Sequence, residues 1–379
     1  MNDTDVLIVG AGPTGLTLAA SLLAKGVRAT IVDRQAAGAN TSRAAAINAR
    51  TLEVLEGLDV SRRLVKEGIA LPRFTIRDGR RLLIPIDFSA LPTAYPYTLT
   101  LPQCDTERLL LDRLVELGGE VSRPKVLTSV TQDPDGVTAT FADGDVIRAA
   151  YVVGADGIGS TVREQAGIGF DGGQYEESFI LADVRLTGDA PTDEVILFWA
   201  KAGLTVIAPL PGGTHRVVAP VDDAPAYPSA EFVQRILDDR GFGPGRTTVT
   251  DLVWGSRFRI QHRVADAYRA GRILIAGDAA HVHSPAGGQG MNLGIQDAVA
   301  LADALTAVLD GGPDSLLDDY DATHRPIAQQ VVDLTDRLTR LATLPRAARP
   351  VRNLGLGLAG RIPAVRRALA QRLSGLIYR

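Results

Sequence analysis

Residues 5–9, DVLIV, carry an unbroken apolar run from Val6 to Val9. Such a run reads as a strand buried on both faces, the habit of a central parallel strand. GAGPTG follows at 10–15, and then Leu16, Leu18, Ala19, Leu22 and Leu23 recur at helical spacing until Gly26. A second apolar run, RATIVD, ends at Asp33. Strand, glycine turn, helix, strand and acid in that order form a βαβ unit that binds a dinucleotide. Gly10, Gly12 and Gly15, with Pro13 and Thr14 between them, would cradle its phosphates. Asp33 would bond a ribose 2′-OH, which selects NAD or FAD over NADP.

The same kind of pattern returns late in the chain. RILIAGDAAHVHSPAGGQGMNLGIQDAVALA, Arg272–Ala302, ends a short apolar strand on Gly277-Asp278. A turn with Pro285, Gly287, Gly288 and Gly290 then opens into a helical pattern. Glycines ahead of a helix bring its backbone N–H groups close to a ligand. Asp278 beside them would repel a phosphate, so this turn should offer Asp278 to hydroxyls and the helix start to an electron-rich group. A glycine-rich turn with an aspartate helix cap is the plainer alternative. GLGLAG at 355–360 also fits the glycine spacing, but no strand precedes it and no acid follows, so it reads as part of a helical tail.

Between about 174 and 270 the period changes. SFILADVRL, EVILFWA, GLTVIAPLPGG, HRVVAPV and TVTDLVWGSRFRI alternate as strands of an antiparallel sheet. Pro211–Gly213 reads as a hairpin turn. The expected architecture is α/β: a Rossmann-like domain from 1–173 plus 271–330, an antiparallel-sheet substrate domain at 174–270, and a helical tail at 331–379. Segment 69–100 is expected to join the substrate side.

Composition narrows the class. At 379 residues the chain has room for two or three domains, and 45% apolar with 22% charged residues is ordinary globular usage. A net charge of −4 gives no global pull toward nucleic acid or anionic membrane. Cys104 stands alone, so neither an intrachain disulfide nor a cysteine-based zinc site can form, and a cytoplasmic setting is expected. The start, MNDTDVLIVGAG, has no basic stretch ahead of its apolar run, so it is not expected to be a signal peptide. GLTLAASLLAKG is too short to span a bilayer. After Asp336 there is no Asp or Glu but there are ten arginines. Such a tail could meet a membrane or an acidic partner. Packing through Leu354, Leu356, Leu358, Ile362, Val365 and Leu369 is the favoured expectation.

GAGPTG…VDR, YVVGADGIGSTVRE at Tyr151–Glu164 and GDAAHVHSPAGGQGMN at Gly277–Asn292 together resemble the group A flavin monooxygenases, the para-hydroxybenzoate hydroxylase superfamily. SRAAAINARTLEVLEGL and LPQCDTERLLLDRL match in the family order, so the resemblance covers nearly the whole chain. It implies that the dinucleotide is FAD and that NAD(P)H is the co-substrate. It implies that Asp278 bonds a ribityl hydroxyl and that the helix starting near Gly290 points at the pyrimidine end of the flavin. Backbone N–H groups of Met291 and Asn292 would then favour the negative charge of reduced flavin. Arg34 would flank the adenine, Leu127 would meet it through its backbone, and Gln103 would lie on the ribityl–phosphate side. Asp156 is linked by the resemblance to the pyrophosphate and to NAD(P)H. Arg43 would lie near the diphosphate or flavin edge and is, with Pro285, the candidate for a catalytic role.

The activity implied is hydroxylation of a phenolic or polycyclic aromatic, polyketide-like substrate with O₂, through a flavin hydroperoxide. Baeyer–Villiger oxygenation, flavin-dependent dehydrogenation and a non-catalytic FAD-binding protein are the alternatives. Phe198, Trp199, Val206, Pro209 and Pro285 are the candidate substrate-lining residues, although each also fits a core position. A monomer or homodimer is expected, with no nucleic-acid partner and no membrane span. Two departures stand out. Many relatives continue into a thioredoxin-like third domain where this chain ends, and Thr323-His324 replaces the usual glutamate and arginine. His281 and His283 could share a strand face as metal ligands, but no third ligand is evident. No G-x-S-x-G elbow, P-loop or tryptophan-rich halogenase motif occurs; Trp199 and Trp254 are isolated.

Overall fold

The computed structural model describes residues 3–38, 44–222, 224–284, 287–342, 344–345 and 347–379. Its first sheet is built on β1 (Thr4–Val9), whose Val6, Leu7 and Ile8 are fully buried. β1 pairs in parallel with β2 (Ala29–Val32) on one side and β11 (Val146–Gly154) on the other. β8 (Val121–Ser122) extends the β2 edge, and β18 (Ile273–Ile275) with β17 (Arg269–Ala270) extends the β11 edge. β9 (Leu127–Asp133) and β10 (Gly136–Phe141) form an antiparallel flap on β11. Helices α1 (Pro13–Ala24) and α4 (Gln103–Glu116) cover this sheet together with α7 (Gly290–Leu309).

By length and composition α7 is apolar enough to cross a membrane. Its place contradicts that use: Ile295, Ala298, Leu301, Ala302 and Leu305 are wholly buried in the core of this domain.

The second sheet runs in the order β19-β16-β12-β15-β14-β13-β5-β6. Its strands are β5 (Arg73–Asp78), β6 (Arg81–Asp87), β12 (Phe170–Gly188), β13 (Glu194–Ala200), β14 (Gly203–Leu210), β15 (Thr214–Val221), β16 (Thr247–Ala265) and β19 (His281–Val282). Segment 69–100 thus supplies two of them, with β5 parallel to β13. β12 and β16 are a long ribbon that begins beside the first domain and continues as the centre of the second sheet. A side chain cannot be tolerated at Gly172 in that ribbon, where φ is +142° and a Cβ would lie 1.9 Å from His262 O.

Side chains alternate across this sheet. Ile180, Ala182, Ile196, Phe198, Ile207 and Val217 face α6 (Ala230–Arg240), which starts on a Ser229 cap whose Oγ accepts from Phe232 N–H at 3.2 Å. A third, small sheet, β3 (Ala46–Ile47), β4 (Ile69–Leu71) and β7 (Thr98–Thr100), lies between the two larger ones, with Thr100 Oγ1 donating to Pro209 O at 2.7 Å. Short helices α2 (Ala49–Val54), α3 (Ser61–Glu67) and α5 (Thr161–Gln165) fill the connections.

The tail forms α8 (Ser315–Ala342), α9 (Arg349–Ala359) and α10 (Pro363–Leu373). The packing expected from its leucines holds only in part. Leu356 and Leu369 join the cluster around Trp199 and Leu83, but Leu354, Leu358 and Ile362 are 55%, 55% and 51% exposed. The buried face of α9 is instead polar: Arg352 and Asn353 both donate to Trp199 O at 3.0 Å, and the Arg352 guanidinium lies over the indole.

Candidate active site

The glycine turn after β1 is held by its own backbone. Gly10 has φ +106°, and a Cβ there would come within 2.2 Å of Ala155 O. A Cβ on Gly15 would lie 1.9 Å from Gly10 O, so this glycine lets α1 sit close against the strand. Gly12 differs: a Cβ there would meet nothing within 4 Å. The turn is therefore closed on its protein side and open on its outer side, the cradle a pyrophosphate requires. Asp33 steadies it, accepting from Ala11 N–H through Oδ2 and from Gln35 N–H through Oδ1, both at 2.7 Å. A carboxylate has about four acceptor sites, so two remain for ribose hydroxyls. Arg34 is exposed beside it. Leu127 is buried at the start of β9, and the preceding segment touches Asp33, whose carbonyl accepts from Lys125 N–H at 2.7 Å.

The late motif packs directly on this turn. Gly277 has φ +61°, and Cβ atoms on Gly277 or Gly294 would each lie 2.4 Å from Thr14 Oγ1. Glycine at both positions lets the Gly277-Asp278 turn and α7 close on the first loop. Asp278 stands exposed at this junction. Asp156, at the end of β11, completes the ring, because a Cβ on Gly10 would lie 2.8 Å from its Cα. Its Oδ2 accepts from Val162 N–H at 3.3 Å, while its Oδ1 is buried and unpartnered. Burial pushes this carboxyl above its ordinary range. Arg163 braces the same junction, donating to Ala279 O at 2.9 Å. Four segments far apart in sequence thus meet around one cradle.

Behind the Gly277-Asp278 turn lies a polar brace that the motifs did not announce. Asp297, fully buried on α7, accepts from Gly277 N–H at 3.2 Å and pairs with His281 at 2.6 Å and His324 at 2.8 Å. Burial alone would push its carboxyl up; the two imidazoles hold it well below the usual carboxylate range. His324, one of the departures from the family pattern, is therefore a partner in the core. His283 turns elsewhere: its Nδ1 lies 2.8 Å from Ser284 O and its buried Nε2 is unpartnered.

The mouth of α7 is tied to the loop before β3. Asn292 donates through Nδ2 to Ala46 O and Gly288 O at 2.8 and 2.7 Å, and its Oδ1 accepts from Asn48 N–H at 2.9 Å. Gly288, at φ +64°, brings the turn to Ala46, where a Cβ would lie 3.0 Å from the alanine methyl. Leu293 N–H makes the first helical bond back, to Gln289 O at 2.9 Å, so the N–H groups of Gly290, Met291 and Asn292 belong to the uncapped end. Gln103 holds Ala44 by both backbone groups, at 3.1 and 3.0 Å. Arg43 and Pro285 lie outside the described residues.

Arg216 was not singled out by sequence. Buried on β15, it makes a two-pronged pair with Asp183 of β12, both contacts at 2.8 Å, and donates through Nη1 to Ala44 O at 2.8 Å. A charged residue inside each of two apolar strands, LADVRL and HRVVAPV, was the available signal.

The candidate substrate-lining residues divide between the two faces of the second sheet. Phe198 is fully buried on the α6 side of the sheet, edge-on to Phe242 at 5.0 Å. Trp199, on the other side, is 2% exposed and covered by Arg352 of the tail. Both are core side chains; Phe198 faces away from Val206, whereas Trp199 lies on the same face of the sheet as Val206 but in the cluster that the tail covers. Val206 lies on the face turned toward the small sheet, packed with Leu71, Val195 and Ala208, whereas Pro209 falls on the opposite face and reaches the small sheet only through its carbonyl, which accepts from Thr100 Oγ1.

A strand-turn-helix cradle for a pyrophosphate, open beside an uncapped helix end, defines a dinucleotide-binding flavoprotein scaffold. The family model "FAD binding domain" matches residues 3–335, and the chain belongs to that family. It is 37% identical over 360 residues to rifampicin monooxygenase of Streptomyces venezuelae, covering 92% of this chain and 74% of that protein. A solved anhydrotetracycline hydroxylase from Streptomyces rimosus is 36% identical, with a TM-score of 0.82 over 98% of this chain and 76% of that one. A solved p-nitrophenol 4-monooxygenase from Pseudomonas putida is 28% identical, with a TM-score of 0.86, and 98% of each chain is covered. The protein is a flavoprotein monooxygenase of the aromatic hydroxylase class, with FAD as cofactor and NAD(P)H as co-substrate.

Proposed function

We propose that the chain hydroxylates a large, mostly apolar phenolic ligand of the polycyclic, polyketide-like kind. The observation that carries this reading is the character of the sheet face between β7 and Ala44. Val206 and Ala208 are apolar there, and the cation beside them, Arg216, is committed to Asp183 along both prongs. A small carboxylate would find no spare guanidinium edge on that pair. The names of two relatives, rifampicin monooxygenase and anhydrotetracycline hydroxylase, support the same substrate class.

Bound FAD supplies the redox chemistry, accepting electrons from NAD(P)H and activating O₂. The chain's part is to hold and bias it. Gly10, Gly12, Pro13, Thr14 and Gly15 would seat the pyrophosphate, and Asp33 the ribose, with Arg34 and Leu127 toward the adenine. Gln103 and Asp156 flank the middle of the cofactor; the unpartnered Oδ1 of Asp156 is an acceptor for a hydroxyl or water. Asp278 would take the ribityl hydroxyls. Gly288 and Gly290 keep side chains away from the ring, and the N–H groups of Met291 and Asn292 would stabilise negative charge there by about 0.3–2 kcal/mol. Arg43 and Pro285 are the proposed contacts nearest the reacting atoms. Arg216 and Gln103 act one step back by fixing Ala44, the residue next to Arg43. The exposed, unpaired Cys104 accords with a reducing cytoplasm.

The test is turnover of a polycyclic phenol by the FAD-loaded protein with NADPH under labelled O₂. One labelled oxygen as a ring hydroxyl is expected. Label in an ester oxygen would replace the reading with Baeyer–Villiger chemistry. Ligand-stimulated NADPH oxidation without incorporation would point to a dehydrogenase or reductase.

A further inference from the structure

The tail carries charge and apolar surface that the active site does not use. Residues 337–379 hold ten arginines and no acid, whereas residues 1–336 hold thirty basic against forty-four acidic side chains. On α9, Val351, Leu354 and Leu358 are 74%, 55% and 55% exposed. At about 100° per residue the three fall within an arc of about 60°. Ile362, 51% exposed, continues the stripe beyond the helix. The opposite face of α9 is already anchored through Arg352, Asn353 and Leu356, so this stripe is not a core face awaiting closure by a small rotation.

Beside the stripe is a cleft of about 420 Å³ between α9, the start of α10 and the edge strand β6. Leu82 and Leu83 floor it, and Arg81, Arg361 and Arg366 rim it; among the described residues no Asp or Glu lines it. Arg366 Nε is buried there without a partner. None of the cofactor-site residues lines this cleft.

We infer that this face, the α9 stripe with the adjoining arginine cleft, docks on an anionic phospholipid surface. Half-exposed aliphatic side chains beside guanidinium groups, with no acid among them, match an interfacial helix lying in a bilayer's headgroup plane. The cleft offers three cations and an apolar floor, which suit a lipid phosphate and the first carbons of its chains. An acidic protein would need little of the apolar stripe, and a nucleic acid would need none.

The FAD-loaded protein should float with vesicles of phosphatidylcholine plus phosphatidylglycerol at low salt, and not with phosphatidylcholine alone. Arg81→Gln/Arg361→Gln should lower the partition constant roughly thirtyfold, at about 1 kcal/mol per arginine. Leu354→Gln/Leu358→Gln should lower it at least about tenfold from lost apolar burial. These four side chains are exposed, so folding and the flavin spectrum should be unchanged in both variants. The inference is overturned by no flotation with anionic vesicles, or by flotation that the leucine pair does not alter. It is equally overturned if inorganic phosphate displaces the protein beyond the effect of matched chloride, which would make the cleft a free-anion site. A dimer in light scattering that only the leucine variant breaks would assign the stripe to a second copy and overturn it as well.

Discussion

Gly12→Val separates cofactor binding from folding. The three glycines of GAGPTG look alike in sequence but not in surroundings. A side chain at Gly10 or Gly15 drives into backbone at 2.2 and 1.9 Å, so those substitutions should damage the fold itself. Gly12 has φ −78° and ψ −174°, an extended conformation open to any residue, and its Cβ would point into clear space. It is the N-cap of α1 with no side-chain cap bond, so losing glycine there should cost only about 1 kcal/mol. The isopropyl group would stand where the pyrophosphate must approach. Overpacking costs about 1–3 kcal/mol and each forfeited hydrogen bond to a charged oxygen about 1.5–3 kcal/mol. The sum, about 3–6 kcal/mol, weakens FAD binding by about 10²–10⁴-fold. Fluorescence titration of the apo protein with FAD measures the affinity, and urea unfolding of the apo protein measures the fold. Gly12→Val binding FAD within threefold of the parent (a threefold change being about 0.65 kcal/mol) would refute the reasoning, as would an apo protein destabilised as badly as Gly10→Val.

Three other outcomes are expected. Asp297→Ala should destabilise the apo protein by about 3–5 kcal/mol in urea, since it strands His281, His324 and the Gly277 N–H in the core; a loss below about 1 kcal/mol would mean that the brace is not structural. Arg216→Met should cost a similar amount by leaving Asp183 buried alone, and Asp183→Leu/Arg216→Met should recover most of it while FAD binding stays weakened through Ala44; full recovery of both would deny the tie to Ala44. Burial lowers the His283 pKa to about 4 from the usual 6.5, so between those values the unfolded chain binds more protons. Stability should therefore rise as pH increases from about 4 to 6.5, by up to roughly 3 kcal/mol, and His283→Gln should flatten that rise; an unchanged slope would exclude His283 as its source.

Local patterns made much of this legible. β1, the glycine turn, α1 and β2 follow from apolar period and glycine placement, and the Gly277-Asp278 turn with α7 from the same logic. What pattern could not supply was facing and partnership. Alternation says that Phe198 and Trp199 point to opposite sides of a strand, but α6 and α9, far along the chain, decide that both are core. Gly172-Gly173 reads as a break, yet β12 passes through it because the glycines let the strand lie against His262 and Arg263. The Asp183–Arg216 and Asp297–His324 pairs join residues 33 and 27 positions apart, a spacing that no period links. On α9 a polar pair, Arg352 and Asn353, took the buried face, which left Leu354 and Leu358 outside against the simple apolar-in rule.

The central claim is that the isoalloxazine rests on the amino end of α7 with Asp278 on its ribityl chain. A crystal structure of the FAD complex tests it directly. The account predicts the flavin pyrimidine edge within hydrogen-bonding reach of the Met291 and Asn292 N–H groups and a ribityl hydroxyl on Asp278. A ring system seated elsewhere, with Asp278 facing only water or protein, would contradict it.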